Sequence, residues 1–207
     1  TLDWTGFYKR LANLVSPTDS LSTENGTTQA LRYDNNGSGR VYGFELVARH
    51  DLHDGFTGWV SYTLSRAERL DSGSRERRLF DFDQTHILTV VASQALPKNW
   101  QIGSRFRLVS GNPETPVIGA VYNASRDQYE PTYGAVNTGR TGMFHQLDVR
   151  VDKSWIYDSW KLTAYLDIQN IYSRANPEGV EYNFDFSQSK TSRGLPLLPI
   201  LGVRGDF

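Results

Sequence analysis

The sequence predicts an all-β fold: a transmembrane, antiparallel, up-and-down β-barrel wall of about eight meander strands. Three observations predict it. Oily and polar residues alternate with a period of two in segment after segment. Short turns and long polar connections alternate along the chain, which sorts them to opposite ends of the strands, as in outer-membrane barrels. The tryptophans gather towards the short turns, as in an interfacial aromatic belt.

The segments follow in order. The opening TLDWTGFYKR reads as the first strand. RVYGFELVARHDL puts Tyr42, Phe44, Leu46 and Ala48 on one face, with Glu45 and Arg49 opposite. After the turn HDG (53–55), FTGWVSYTLSRAE sets Val60, Tyr62 and Leu64 against Trp59, Ser61, Thr63 and Ser65. THILTVVASQAL is apolar on both faces. After PKN (97–99), WQIGSRFRLVSG sets Ile102, Phe106 and Leu108 against Gln101, Arg105 and Arg107. The clearest hairpin is HQLDVRVDKSWIYDSWKLTAYLDIQNI. Its first arm has Leu147, Val149, Val151 and Trp155 on one face, and Gln146, Asp148, Arg150, Asp152 and Ser154 on the other. Beyond YDS (157–159), Trp160, Leu162, Ala164, Leu166 and Ile168 oppose Lys161, Thr163, Tyr165, Asp167 and Gln169. The tail LPLLPILGVRGDF supplies the eighth strand. The long polar connections are 15–35, 70–83, 112–143 and 174–192.

Energetics then assigns the faces. The charges of Glu45, Arg49, Arg105, Arg107, Asp148, Arg150, Asp152 and Asp167 fall mid-strand on the polar side. In lipid each cation would cost ~2–4 kcal/mol near the midplane, so this side is expected to line a wet lumen and the oily side to face acyl chains. All five tryptophans, with Phe56, Tyr157 and Phe207, are assigned to the short-turn rim.

Composition narrows the function. The 207 residues carry a net charge of −1 and no cysteine, which gives no electrostatic reason to expect nucleic acid and no thiolate metal site or disulfide. No apolar run is long enough for a membrane-spanning helix, and no signal peptide is present, so the chain is expected to be mature, truncated or never exported.

Five stretches carry a specific likeness: GFELVARHDLHDGFTGWVSYTLSRAE, FDFDQTHILTVVASQAL, WQIGSRFRLVSGNPETP, WKLTAYLDIQNIYSRANPEGVEYNFDFS and the closing LPILGVRGDF. Together they resemble the C-terminal part of the β-barrel of TonB-dependent outer-membrane receptors. The resemblance implies a barrel of about 22 strands around an N-terminal plug. Residues 1–207 would be one segment of that wall, its last eight strands, with plug and TonB box absent from this chain. It also implies that Leu201, Val203 and Phe207, which share a face of the terminal strand, are read by the barrel-assembly machinery; Gly205 stands where another apolar residue is common. Asp83 and His86 in DFDQTH match the family's entry to a descending strand, a structural role.

The expected function is a share in energised nutrient uptake across the bacterial outer membrane, the cargo being siderophore–iron, cobalamin, an oligosaccharide or a peptide. Tyr122, Tyr129 and Tyr133 in the longest loop are the expected ligand contacts. The expected partners are outer-membrane lipid and lipopolysaccharide, the rest of the receptor with its plug, the barrel-assembly machinery, and TonB indirectly through the plug. Arg75, Arg77 and Arg78 read as a solvated loop cluster in preference to a contact for anionic lipopolysaccharide or an anionic ligand. With no G-x-S-x-G, Walker or H-E-x-x-H motif, and with Arg150 placed to neutralise Asp148 and Asp152, no catalytic residue, metal or cofactor is expected. Two alternatives stand beside this reading: a self-standing eight-stranded barrel with a structural or adhesive role, and a membrane-embedded hydrolase.

Overall fold

The computed structural model describes residues 1–18, 20–24 and 27–207. Its body is a meander of eight long strands: β1 (Leu2–Pro17), β2 (Tyr33–His53), β3 (Phe56–Leu70), β4 (His86–Leu96), β5 (Trp100–Val109), β6 (Phe144–Ile156), β7 (Lys161–Gln169) and β8 (Leu198–Asp206). Each pairs antiparallel with the next in chain order, and the two-residue strand Arg78–Leu79 adds to β3. Among the described residues β1 and β8 pair on one side only, so the sheet is open and the self-standing closed barrel is not what forms.

Turn chemistry fixes the short connections. Asp54 and Gly55 sit at φ 50° and 78°, the pair of left-handed residues that a two-residue hairpin with right-twisting strands requires. Pro97 opens a tight turn that Lys98 and Asn99 complete at φ 61° and 59°. The third turn closes with the Tyr157 amide donating to the Trp160 carbonyl at 2.9 Å. Three of the long connections fold further than polar composition suggests. They carry hairpins at Leu21–Glu24 with Thr27–Ala30, Val117–Asn123 with Gln128–Tyr133, and Pro177–Tyr182 with Ser189–Arg193. In the first of these segments Asp19, Asn25 and Gly26 lie outside the described residues.

Directly opposed residues share a face, so the registers can be followed across the sheet. One row runs Arg49–Trp59–Val91–Arg105–Asp148, and the next runs Ser93–Gly103–Arg150–Asp167. Asp152 lies opposite Gln101 and Tyr165, Arg107 opposite Gln146, and Glu45 opposite Thr63. The eight charged residues singled out above therefore occupy one side of the sheet. The other side carries rows such as Ala48–Val60–Val90–Phe106–Leu147 and Ile102–Val151–Leu166–Leu201.

Two tryptophans depart from the expected belt. Trp59 lies in the charged row, because its odd position puts it out of phase with Val60 and Tyr62. Trp4 pairs with Leu46, away from the Asp54 turn. Trp100, Trp155 and Trp160 do flank short turns on the oily side, where Tyr157, Trp160 and Phe207 form an offset stack with centroid spacings of 4.6 and 5.8 Å.

Among the described residues no second layer covers the oily side. Among the described residues only Val109 is a buried hydrophobic, while Leu201 is 80% and Trp4 78% exposed. A water-soluble domain of this length would bury a contiguous apolar core. Here the oily side is left bare, as a lipid-facing wall requires.

Candidate functional site

The long-connection end is organised around one buried carboxylate. Asp83, 1% exposed, accepts hydrogen bonds from the Ala67 amide at 2.6 Å and the Thr85 hydroxyl at 3.0 Å, and forms an ion pair with Arg140. Arg140 also donates to the carbonyls of Asp83 at 2.8 Å and Gly111 at 2.9 Å. One carboxylate thus fastens the base of the 112–143 segment to the ends of β3 and β4. His86 has a different environment: its amide is held by the Ser110 hydroxyl at 2.9 Å, and its Nδ1 lies 2.8 Å from the Tyr62 hydroxyl on the oily side. Asp83 and His86 do not meet. Among the described residues no group of three or more metal-ligating side chains converges.

A second fastening lies beside it. Arg78 pairs with Asp71 at 2.5 Å and Asp81 at 3.1 Å. Asp71 also accepts from the Ser16 hydroxyl at 3.3 Å, and that hydroxyl accepts from the Ser72 amide at 2.8 Å. The Arg78 hydrogen bond holds the Asp71 carboxyl below its ordinary value. A carboxylate depressed by folding stabilises the fold above its unfolded pKa and loses that contribution as pH falls through the folded one. Acidification below about pH 4 is therefore expected to loosen the 70–83 segment, and pepsin cleavage at Leu79 or Phe80 followed against pH checks it. Asp71→Asn should weaken the pH dependence, leaving what the Arg78–Asp81 pair and the Ser72–Asp34 hydrogen bond contribute.

The aromatic surface forms above these fastenings. Tyr122 and Tyr129 are cross-strand partners in the 117–133 hairpin, with ring centroids 5.3 Å apart. Tyr129 meets Phe184 of the neighbouring 177–193 hairpin edge-on at 6.0 Å. Tyr122 donates to the Asp127 carboxylate at 2.5 Å, which raises its pKa and keeps the phenol protonated. Tyr133 pairs with Val117 at the base of the same hairpin and is 61% exposed. Thus Tyr122 and Tyr129 come together, Tyr133 stands apart, and Phe184, which sequence reasoning missed, joins them. Only the fold brings residue 184 to residue 129.

On the charged side Arg105 donates to Asp148 at 2.7 Å, and Asp148 also accepts from the Gln146 amide at 2.6 Å and the Asn170 backbone at 3.0 Å. Arg150 pairs with Asp152 at 2.7 Å and lies 3.9 Å over the Tyr165 ring. That ring occupies the place of the side chain Gly202 lacks: a Cβ there would fall 2.2 Å from it. Gly103, opposite Arg150, leaves a depression of about 360 Å³ between Arg105 and Arg150.

An open antiparallel meander with one charged and one bare oily side, and with its loops sorted by length, leaves a single architecture to compare. The family described as TonB dependent receptor-like, beta-barrel matches residues 1–171. The chain belongs to the TonB-dependent receptor family. Solved outer-membrane receptors share its fold. The ferripyoverdine receptor of Pseudomonas aeruginosa bound to ferripyoverdine superposes with a TM-score of 0.61 at 14% identity, over 98% of this chain and 24% of that one. The ferric-catecholate import receptor Fiu of E. coli K12 gives 0.62 at 16%, over 99% and 24%. No curated protein matches. The chain spans about a quarter of the length of these receptors.

TonB-dependent receptor barrels are outer-membrane proteins. In β8 of this receptor segment Leu201 and Val203 lie opposite Leu166 and Ala164 on the oily side. Phe207 bends back so that its ring edge lies 3.1 Å from where a Gly205 Cβ would be. The Phe207 ring thereby covers the space beside Gly205 on the oily side.

Proposed function

We propose that this chain is a wall segment of a TonB-dependent receptor for a ferric siderophore, and that the surface of Tyr122, Tyr129 and Phe184 is part of the ligand entry. The observation that carries the reading is the Tyr129–Phe184 contact, which joins two hairpins into one exposed aromatic patch. Aromatic rings suit an amphipathic chelate, offering wide apolar faces at low conformational cost. The receptors of similar fold were solved with ferripyoverdine or named for ferric catecholate import, which favours siderophore–iron over cobalamin, oligosaccharide or peptide.

In this reading the charged side lines the lumen. Its paired residues, Arg105 with Asp148 and Arg150 with Asp152, present a nearly neutral polar wall to the plug, which is driven in turn by TonB. The segment itself catalyses nothing. The rest of the receptor continues the sheet from β1, lipid and lipopolysaccharide cover the oily side, and the assembly machinery engages Leu201, Val203 and Phe207.

The test is binding and uptake of iron-55-labelled siderophores by cells carrying the receptor that contains this chain. Tyr129→Ala with Phe184→Ala is expected to weaken binding about tenfold, with surface expression unchanged. Uptake of labelled cobalamin or oligosaccharide in place of iron would refute the cargo, and unaltered binding in the double variant would refute the site.

A further inference from the structure

Arg10, Arg40 and Arg66 reach the oily side at the long-connection end, where Glu68 pairs with Arg40 and Arg66; Lys153 is the cation that stands on that side near the short turns. Lys153 lies opposite Trp100 on β5 and Ala164 on β7, within the oily rows. Its ammonium sits 5.5 Å from the Trp100 ring centroid and 5.7 Å from that of Trp155, and it donates to the Lys98 carbonyl in the short turn. Among the described residues no carboxylate pairs with it. A lysine on an acyl-facing wall is tolerated where its stem can carry the charge to the headgroup level, and the reach to the Lys98 turn takes it there.

Beside Lys153 the oily side is hollow. Ala164 is the short member of the row Trp100–Lys153–Ala164–Val203. Over it opens an apolar groove of about 780 Å³ walled by Val151, Leu166, Leu201 and Val203. The groove runs from the tryptophan rim towards the strand middles, with the lone ammonium at its mouth.

We infer that Lys153 and the groove over Ala164 form a binding site for an anionic phospholipid of the inner leaflet. One acyl chain would lie along Ala164 and the headgroup phosphate would accept from the Lys153 ammonium. Charge selects the occupant. An ammonium without a carboxylate partner, held at headgroup depth by two indole rings, favours a net-negative headgroup over a zwitterionic one. The short-turn end of such barrels faces the periplasm, where the leaflet is phospholipid and not lipopolysaccharide.

The experiment uses the receptor containing this chain, delipidated in detergent and titrated with dioleoylphosphatidylglycerol or dioleoylphosphatidylcholine. Bound lipid is counted by native mass spectrometry after heat-modifiable mobility has shown each variant to be folded. The wild type is expected to retain phosphatidylglycerol about fivefold better than phosphatidylcholine. Lys153→Gln should abolish that preference, Lys153→Arg should keep it, and Ala164→Leu should lower retention of both lipids by filling the groove. Equal retention of the two lipids by the wild type, or a preference that survives Lys153→Gln, overturns the site. A loss that Lys153→Arg does not restore assigns Lys153 to packing and overturns it equally. Should Lys153→Gln not fold, unchanged phosphatidylglycerol retention in Ala164→Leu is the overturning result.

Discussion

Asp83→Ala is expected to destabilise the long-connection end by about 3–5 kcal/mol, because it strips the partner from a buried ion pair and leaves its donors unsatisfied. The Ala67 amide, the Thr85 hydroxyl and the Arg140 guanidinium all lose their acceptor at once. Arg140, 30% exposed at its side chain, would turn towards water and take with it the hydrogen bonds to Asp83 and Gly111. The wall should survive, since its ladders do not pass through this carboxylate. The expected signature is therefore local: rapid cleavage at Arg126 in the 112–143 segment and weaker ligand binding, with heat-modifiable mobility retained. Asp83→Asn keeps the acceptor oxygen and should cost less. Cleavage kinetics identical to wild type in Asp83→Ala would show that the segment is held by something else.

Gly111→Ala is the second large effect, and it acts through space alone. A Cβ at this position would stand 1.8 Å from the Thr141 carbonyl oxygen and 2.5 Å from its carbon. Both are backbone atoms, so no rotamer change relieves the clash. The two strands at the segment's base, Pro113–Glu114 and Gly139–Arg140, would have to separate, breaking the 2.9 Å bond from the Thr141 amide to the Asn112 carbonyl. Overpacking of this kind costs about 1–3 kcal/mol and more where backbone must move. Hydrogen exchange of the Thr141 amide should quicken sharply in Gly111→Ala. Gly119→Ala, whose new methyl would meet nothing within 4 Å, is the control and should leave it unchanged.

The wall was legible in the sequence because alternation is a local property that register preserves. Arg105 and Asp148 could be assigned to the same side without knowing that they touch, since each was out of phase with oily neighbours on its own strand. The exceptions are also local. Trp59 reads as a rim residue by composition, yet its phase with Ser61 and Thr63 puts it on the charged side; Lys153 reads as polar, yet its phase with Val151 and Trp155 puts it among the oily rows. In both cases position outranks residue type. The loops were less legible because their hairpins lack one-sided alternation: Val117–Val121 is apolar on both faces, and Ser189–Arg193 is polar on both. The contacts that organise them were not legible at all. Asp83 and Arg140 are separated by 57 positions, as non-local as any pairing in the wall but without a periodic pattern. Phe184 and Tyr129 meet only because two separate hairpins rise side by side.

The Tyr165 ring seated on Gly202 acts as a key in a slot. If β8 slid by two residues along β7, the ring would fall on Ile200 or Arg204, neither of which leaves room for it, and a slide by one would turn Leu201 and Val203 away from the oily side. β8 therefore seats on β7 in this alignment, and a strand slipped by two residues meets a collision at the Tyr165 ring.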